Sequence, residues 1–176
     1  MDDVRAPQAP WPDDEFVDYA QARQHALLRA AYLVTGDLRL AEGIVRSALV
    51  QLGRQWDRVR EEQPDLFVRR LVYRDAIASW RHRPPEQVAT SESDEPDERW
   101  DTEEVERRRE VMRALDALTP RQRAVVVLRW FEERGGPEVA DVLGCSLGAV
   151  HTEGEQALGL LRAALPRADL GSGGVR

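Results

Sequence analysis

The chain has 176 residues, of which 42% are hydrophobic, and a formal net charge of −7 at pH 7. This length suits one ordinary domain or two small ones, and the negative charge argues against a strongly basic nucleic-acid binder that acts alone. The single cysteine, Cys145, excludes an intramolecular disulfide, and no apolar run approaches the roughly 20 residues that a membrane span needs. The N-terminus is acidic and carries no secretory signal, so the sequence predicts a cytoplasmic protein.

Apolar residues recur every three or four positions along most of the chain, so the sequence predicts an all-α fold. Residues 1–13 carry three prolines and no periodicity, and they are predicted to form a disordered tail. The first predicted domain, residues 14–83, holds three helices, with expected ranges of 15 to about 33, about 38 to 56, and 66 to 83. Gly36 is expected to end the first helix, and Asp37 to cap the second.

Residues 84–104 separate this domain from the rest of the chain. They contain nine acidic residues against one arginine, with prolines and few apolar side chains. Such a composition cannot bury enough surface to offset the entropy lost on ordering, which favours a flexible acidic linker. The alternative is a segment that mimics nucleic acid and lies in a positive channel of a partner.

A second helical domain is predicted at residues 105–166, followed by a disordered tail at 167–176. It opens with an Arg-rich helix that ends near Leu118. Thr119 and Pro120 then suit the N-cap and first position of a new helix.

The last two predicted helices form a helix-turn-helix. Pro137 opens the shorter helix, Gly144 closes it, and Ser146 is the expected N-cap of the longer one. A short helix, a glycine turn and a longer helix with an apolar stripe are typical of DNA-reading modules, but plain helical bundles share them.

Two groups of segments carry a resemblance to a known family. "ALTPRQRAVVVLRWFEE", "PEVADVLGCSLGAV" and "ALGLLRAAL" resemble the fourth domain of bacterial extracytoplasmic-function sigma factors. "LLRAAYLVTGDLRLAEGIVRSALVQLGRQWDRV" and "FVRRLVYRDAIASWRHRP" resemble the second domain. The order, spacing and acidic linker also match, over residues 14–165, and they look most like the short actinobacterial branch of the family.

The resemblance implies a transcription initiation protein. Such a protein binds core RNA polymerase, recognises promoter DNA at the minus-ten and minus-thirty-five elements, and helps to open the duplex. An anti-sigma protein or another transcription regulator is a further partner that the resemblance allows. No cofactor is implied.

The segment that grips the polymerase in this family usually reads close to "DAEDLVQ", and here it reads "LAEGIVR". By resemblance, the predicted polymerase-binding residues are Glu42, Ile44, Val45 and Arg46. Two positions that are usually acidic are Leu40 and Gly43, so the usual charge pattern is altered. Gly43 within a helix also costs about 1 kcal/mol relative to alanine.

The third helix is expected to read and melt the minus-ten element. Its predicted DNA contacts are Arg69, Arg70, Arg74, Trp80 and Arg81. Arginines neutralise phosphates and aromatic rings stack on unpaired bases. The alternative is a solvated helix face with Trp80 in the core.

The helix-turn-helix departs most from the family pattern. Members often continue in a form like "KSRLHRAL", whereas this chain has "HTEGEQAL". The predicted contacts to DNA or to a partner protein are Arg121, Arg123, Ser146, His151, Thr152 and Gln156. Because Glu153 and Glu155 would repel phosphate, the last helix is either an unusual DNA reader or a protein-contact surface.

Catalysis and metal binding are not expected. The three histidines fall on separate predicted helices without metal-ligand spacing, and no Gly-rich phosphate loop follows a strand. The predicted function is therefore a sigma-type transcription initiation protein. The alternatives are a degenerate sigma-like regulator that acts by protein contact, and a decayed paralogue; intact apolar stripes count against the latter.

Overall fold

The computed structural model describes residues 14–82 and 102–164, and every regular element within these ranges is helical. The predicted all-α fold is confirmed. The eight α-helices of the described residues are α1 Asp14–Thr35, α2 Leu38–Gly53, α3 Trp56–Val59, α4 Pro64–Ser79, α5 Thr102–Asp116, α6 Pro120–Val126, α7 Gly136–Leu143 and α8 Leu147–Ala164. A 3₁₀ turn, Trp80–His82, extends α4, and a π-helical turn, Val127–Phe131, extends α6. Both predicted tails and nearly all of the predicted linker lie outside the described residues.

The second predicted helix is shorter than expected. It ends at Gly53 instead of Trp56, and Trp56 starts the separate short helix α3. The physical reason is the aromatic contact of Trp56 with α1, where its ring centroid lies 5.4 Å from that of Phe16 and 5.3 Å from that of Tyr19. The turn after Gly53 brings the Trp56 indole onto α1. A continuous helical stripe of apolar residues does not predict this turn.

The predicted turn at Gly36 and the predicted caps at Asp37 and Thr119 are in place. Gly36 adopts φ 72°, a left-handed conformation that suits glycine after a helix. The Asp37 side chain accepts a hydrogen bond from the backbone N–H of Leu40 at 2.9 Å and so caps α2. Thr119 and Gln122 form a reciprocal capping box at the start of α6. These local caps fix the direction in which each helix leaves its turn.

The helix-turn-helix consists of α7 and α8. Gly144 closes α7 in the left-handed conformation at φ 61°. The Ser146 hydroxyl accepts a hydrogen bond from the N–H of Ala149 at 3.1 Å, as its predicted N-cap role requires. Val139 and Val150 are buried at the contact between the two helices.

The hydrophobic core runs continuously through both halves of the described chain. One cluster joins Val34 and Tyr73 of the first half to Val125, Leu128 and Val139 of the second, and each of these side chains is at most 1% exposed. Helix α4 packs against α7, and α1 packs against α6. The two halves therefore bury part of their surface against each other.

Candidate functional site

The predicted polymerase-binding segment lies on α2. Glu42, Gly43 and Arg46 are exposed, whereas Ile44 and Val45 are only 7% and 5% exposed. The prediction that Ile44 and Val45 contact a partner is corrected here, because both side chains pack in the core. Glu42 and Arg46, one helical turn apart, are the members of the set that a partner can reach.

Exposed apolar residues flank this charged pair. Leu38, Leu40 and Val50 are about two-fifths exposed, at 38%, 40% and 43%. A face that combines charges with accessible aliphatic side chains is typical of a protein-contact surface.

Arg69 does not face solvent. Its residue is 5% exposed, and its Nε donates to Oε2 of Glu132 at 2.6 Å. Tyr73, which is 1% exposed, donates its hydroxyl to Oε1 of the same carboxylate at 2.7 Å. Burial and the adjacent Glu132 carboxylate raise the pKa of Tyr73 well above its ordinary value. Burial alone would lower the pKa of Arg69, but Glu132 and Asp65 outweigh it and raise that pKa.

The other arginines of the third predicted helix stay on the surface. The Arg70 Nε donates to the backbone carbonyl of Asp141 in α7 at 2.9 Å. Arg74 is exposed and pairs with its neighbour Asp75 at 2.8 Å. Arg81 is exposed in the 3₁₀ turn. Arg74 and Arg81 are therefore accessible to a phosphate backbone, while Arg70 spans the two halves.

Trp80 and Arg123 lie together between the halves. The Trp80 Nε1 donates to the carbonyl of Val34 at 3.2 Å, and the Arg123 guanidinium carbon lies 5.6 Å from the Trp80 ring centroid. Arg123 is 0% exposed, donates to the carbonyl of Leu33, and pairs with Asp116 at 2.8 Å. The predicted contact of Arg123 with DNA is corrected for this conformation, because its side chain lies inside the protein.

The remaining residues predicted in the second half are on the surface. Arg121, His151 and Thr152 are exposed, and Ser146 is exposed as a cap. Gln156 is exposed but accepts a hydrogen bond from Gln122 at 3.2 Å. The outer face of α8 therefore presents a mixed polar surface.

Gly154 has a packing role that the sequence did not indicate. It is buried, and a Cβ atom there would lie 3.4 Å from the Trp130 ring and 3.7 Å from Val125. The glycine lets α8 approach the π-helical turn, and a side chain larger than methyl would displace the indole.

An open cavity of about 530 Å³ lies between α3 and the start of α4. Its lining residues are Gln55, Arg58, Val59, Glu62, Gln63, Leu66, Phe67 and Arg70. Two amides, two guanidinium groups and an aromatic ring together could contact both the edge and the face of a nucleobase.

Glu132 is a residue of the candidate site that the sequence did not single out. Its partner is Arg69, 63 positions away. No local pattern predicts a pair at that separation.

Within 14–82 and 102–164, no group of three or more His, Cys, Asp or Glu side chains could hold a metal ion. Of the helices within these two ranges, none is both long and apolar enough to cross a membrane.

Similarity to known proteins covers most of the chain. The family described as Sigma-70, region 4 matches residues 108–161. The RNA polymerase sigma-E factor of Streptomyces avermitilis is 35% identical over 157 residues, which is 89% of this chain and 88% of the relative. The chain belongs to the extracytoplasmic-function sigma factors. The RNA polymerase sigma-E factor of Streptomyces coelicolor is similar at 34% identity, with 89% of each chain covered.

Two solved structures share the fold of this sigma factor. The sigma factor RpoE of Bartonella quintana, in complex with the anti-sigma factor NepR, superimposes with a TM-score of 0.71 at 16% identity, over 89% of this chain and 99% of that one. CnrH, in complex with the cytosolic domain of CnrY, gives 0.62 at 22% identity, over 87% and 88%. The fold therefore persists where little sequence identity remains.

The prediction of a sigma-type transcription initiation protein is confirmed at the level of the family. Sigma factors bind core RNA polymerase and promoter DNA and are not enzymes. The relatives give no support to the alternative of a degenerate regulator.

Proposed function

We propose that this sigma factor binds core RNA polymerase through the exposed face of α2 and directs it to promoters through α4 and the helix-turn-helix. The observation that carries the proposal is the similarity to sigma-E factors over 89% of the chain, which spans both helical halves. A protein that only bound the polymerase, or only bound DNA, would need only one of these halves.

The polymerase contact is assigned to Glu42 and Arg46. Both are exposed on α2, and a turn of helix separates them, so their opposite charges set an orientation for a charged partner helix. Leu40 and Val50 provide accessible apolar area beside them. Ile44 and Val45 support this face from beneath.

Promoter contact is assigned first to α4 and its surroundings. Arg70, Arg74 and Arg81 are exposed and follow one another at helical spacing, which suits a phosphate backbone. The cavity beside Arg70 provides a recess for an unpaired base. Trp80 lies close to this face and is partly exposed.

The outer face of α8 contributes less to DNA affinity. His151 and Thr152 are exposed, but Glu155 is exposed with them and repels phosphate. We assign the last helix a minor share of binding energy, and α4 the major share.

The sigma-factor family also indicates the partners and the location of the protein. Both solved structures are complexes, one with the anti-sigma factor NepR and one with the cytosolic domain of CnrY. We include a protein antagonist of this kind among the partners, and we place the protein in the cytoplasm, where the polymerase works.

The test uses the full chain with purified core polymerase and a pool of genomic fragments. The expected result is stable polymerase binding and discrete new run-off transcripts. Glu42→Arg and Arg46→Glu should each weaken polymerase binding by about tenfold or more, equal to about 1.4 kcal/mol. Glu61→Arg, at another exposed site, is the matched control. Polymerase binding without new transcripts would instead favour a regulator that acts by protein contact.

A further inference from the structure

The carboxylate of Glu132 is engaged at both oxygens by one helix of the other half. Arg69 Nε lies 2.6 Å from Oε2, and the Tyr73 hydroxyl lies 2.7 Å from Oε1. The side chains of Arg69 and Glu132 are 7% and 10% exposed. Arg134 Nε approaches the same oxygen as Arg69, at 3.7 Å.

This arrangement resembles the way in which proteins bind a phosphate. A guanidinium and a hydroxyl that converge on two oxygens of one anion form short, charge-assisted hydrogen bonds. Arg69 and Tyr73 belong to α4, the helix assigned above to promoter contact. In this structure the two halves are packed together, which we call the closed conformation. A carboxylate from the second half then occupies the place that a DNA phosphate would take.

The backbone around Glu132 fixes its position. The N–H of Glu132 donates to the carbonyl of Val127 at 2.9 Å, closing the π-helical turn, and the N–H of Arg134 donates to Leu128 at the same distance. Between them, Glu133 adopts φ 55°, a left-handed conformation that is strained for a residue other than glycine. The packing of the turn maintains this strain and points Glu132 at α4.

Neighbouring contacts close the same interface. Arg70 donates to the carbonyl of Asp141 at 2.9 Å, and the Arg29 guanidinium lies 5.2 Å from the Phe131 ring centroid. These contacts hold the second half over one side of α4.

We propose that Glu132 is an internal competitor for promoter DNA: its carboxylate holds Arg69 and Tyr73 in a closed conformation that must open before α4 binds phosphate. The inference rests on the proposed function, since it assumes that α4 contacts DNA. Opening would take Glu132 away and leave Arg69 with Asp65 of its own helix, at 3.5 Å, so a phosphate that replaces the Glu132 carboxylate would stabilise the open state.

The experiment measures the binding of the full chain to fluorescein-labelled single-stranded DNA of mixed sequence, by anisotropy, together with its hydrodynamic radius. Glu132→Gln keeps the shape of the side chain and one of its hydrogen bonds to α4, but it removes the negative charge that holds Arg69. It should bind DNA at least about fivefold more tightly, equal to about 1 kcal/mol, and have a larger radius. Glu133→Gln removes the same charge from an exposed neighbour and should change neither quantity.

A second variant covers the case in which Glu132→Gln does not fold, which circular dichroism would reveal. Phe131→Ala removes the ring that contacts the Arg29 guanidinium across the same interface and leaves Arg69 and Tyr73 intact, so it should shift DNA affinity in the same direction by a smaller factor. Equal affinity for the native chain and both folded variants would overturn the competition.

The outcomes separate this inference from the proposed function. If the native chain directs transcription but Glu132→Gln binds DNA no better, the competition is wrong and the proposed function stands. If Glu132→Gln enlarges the radius, yet no variant binds DNA and no transcript is made, the role of α4 in promoter contact is wrong, and the competition fails with it.

Discussion

Arg123 and Trp80 contact each other across the two halves of the chain, with 5.6 Å between the guanidinium carbon and the indole centroid. Trp80 was predicted to contact DNA, and Arg123 to contact DNA or a partner protein. In the closed structure they touch each other instead, and Arg123 also bonds to the Leu33 carbonyl. Residues suited to bind a nucleic acid thus provide the contacts that join the halves.

Replacing Arg123 should strongly destabilise the fold. Arg123→Ala would remove a fully buried side chain and leave the Leu33 carbonyl without this donor, so the free energy of unfolding should fall by about 2–4 kcal/mol. Urea unfolding followed by circular dichroism measures the loss. Arg121→Ala, on the exposed side of the same helix, should change stability by less than about 0.5 kcal/mol. Similar effects of the two variants would contradict the buried role of Arg123.

Three helical glycines should respond differently to substitution. A Cβ atom at Gly43 or Gly159 would meet nothing within 4 Å, so alanine at either position should raise the free energy of unfolding by about 0.5–1 kcal/mol. Gly154→Leu should lower it by about 1–3 kcal/mol, because the larger side chain collides with Trp130. Thermal and urea unfolding of the three variants provide the comparison. If Gly154→Leu proved as stable as Gly159→Ala, α8 would not approach the π-helical turn so closely.

The Gly43 result also bears on function. Gly43 lies beside the proposed polymerase contacts Glu42 and Arg46. If Gly43→Ala stabilises the chain but weakens polymerase binding, the bare backbone at this position is part of the contact. Unchanged binding would mean that the glycine serves neither packing nor recognition.

Local features of the fold could be predicted from the sequence, because their causes lie within a few residues. Asp37, Thr119, Gly144 and Ser146 end or begin helices through contacts with residues at most four positions away. The side on which α2 is buried follows from helical periodicity, although the expectation that Ile44 would reach a partner ignored that same periodicity. The family resemblance added the order and the expected roles of the helices to this local information.

The contacts between the halves could not be predicted in this way. Arg69 and Glu132 are separated by 63 positions, and Leu33 and Arg123 by 90. A charge pattern shows that arginines and carboxylates are present, but their pairing depends on how the halves pack. The sequence therefore located the candidate surfaces and missed that two of them face each other.

Stability should decrease at alkaline pH because of Tyr73. Burial beside Glu132 raises the pKa of its hydroxyl in the folded state, whereas the unfolded chain has an ordinary tyrosine pKa of about 10. Above pH 10 the unfolded state releases a proton that the folded state retains, so the free energy of unfolding falls as pH rises, by up to about 1.4 kcal/mol per pH unit. Below pH 10 this contribution is fully present.

Urea midpoints measured between pH 8 and about pH 11 test this slope. Tyr73→Phe should flatten it. Burial and the Asp65 hydrogen bond also raise the pKa of Tyr19, so Tyr19→Phe should flatten the slope as well. A slope that survives removal of both Tyr19 and Tyr73 would have another origin.

The outer face of α8 should gain DNA affinity when its charge is changed. His151 and Glu155 are exposed and lie one turn apart, so His151→Lys with Glu155→Arg would replace an imidazole and a carboxylate by two permanent cations on the face that a major groove would meet. Each new phosphate contact should steepen the dependence of log K on log salt by about 0.9, hence by nearly 2 for the pair. Anisotropy with duplex DNA over a range of salt concentrations measures it. Asp18→Arg with Gln24→Lys, which changes the formal net charge by the same amount at exposed positions of α1, should give a smaller increase. Equal slopes for both double variants would show that α8 does not meet the duplex, and would favour a protein partner for this face.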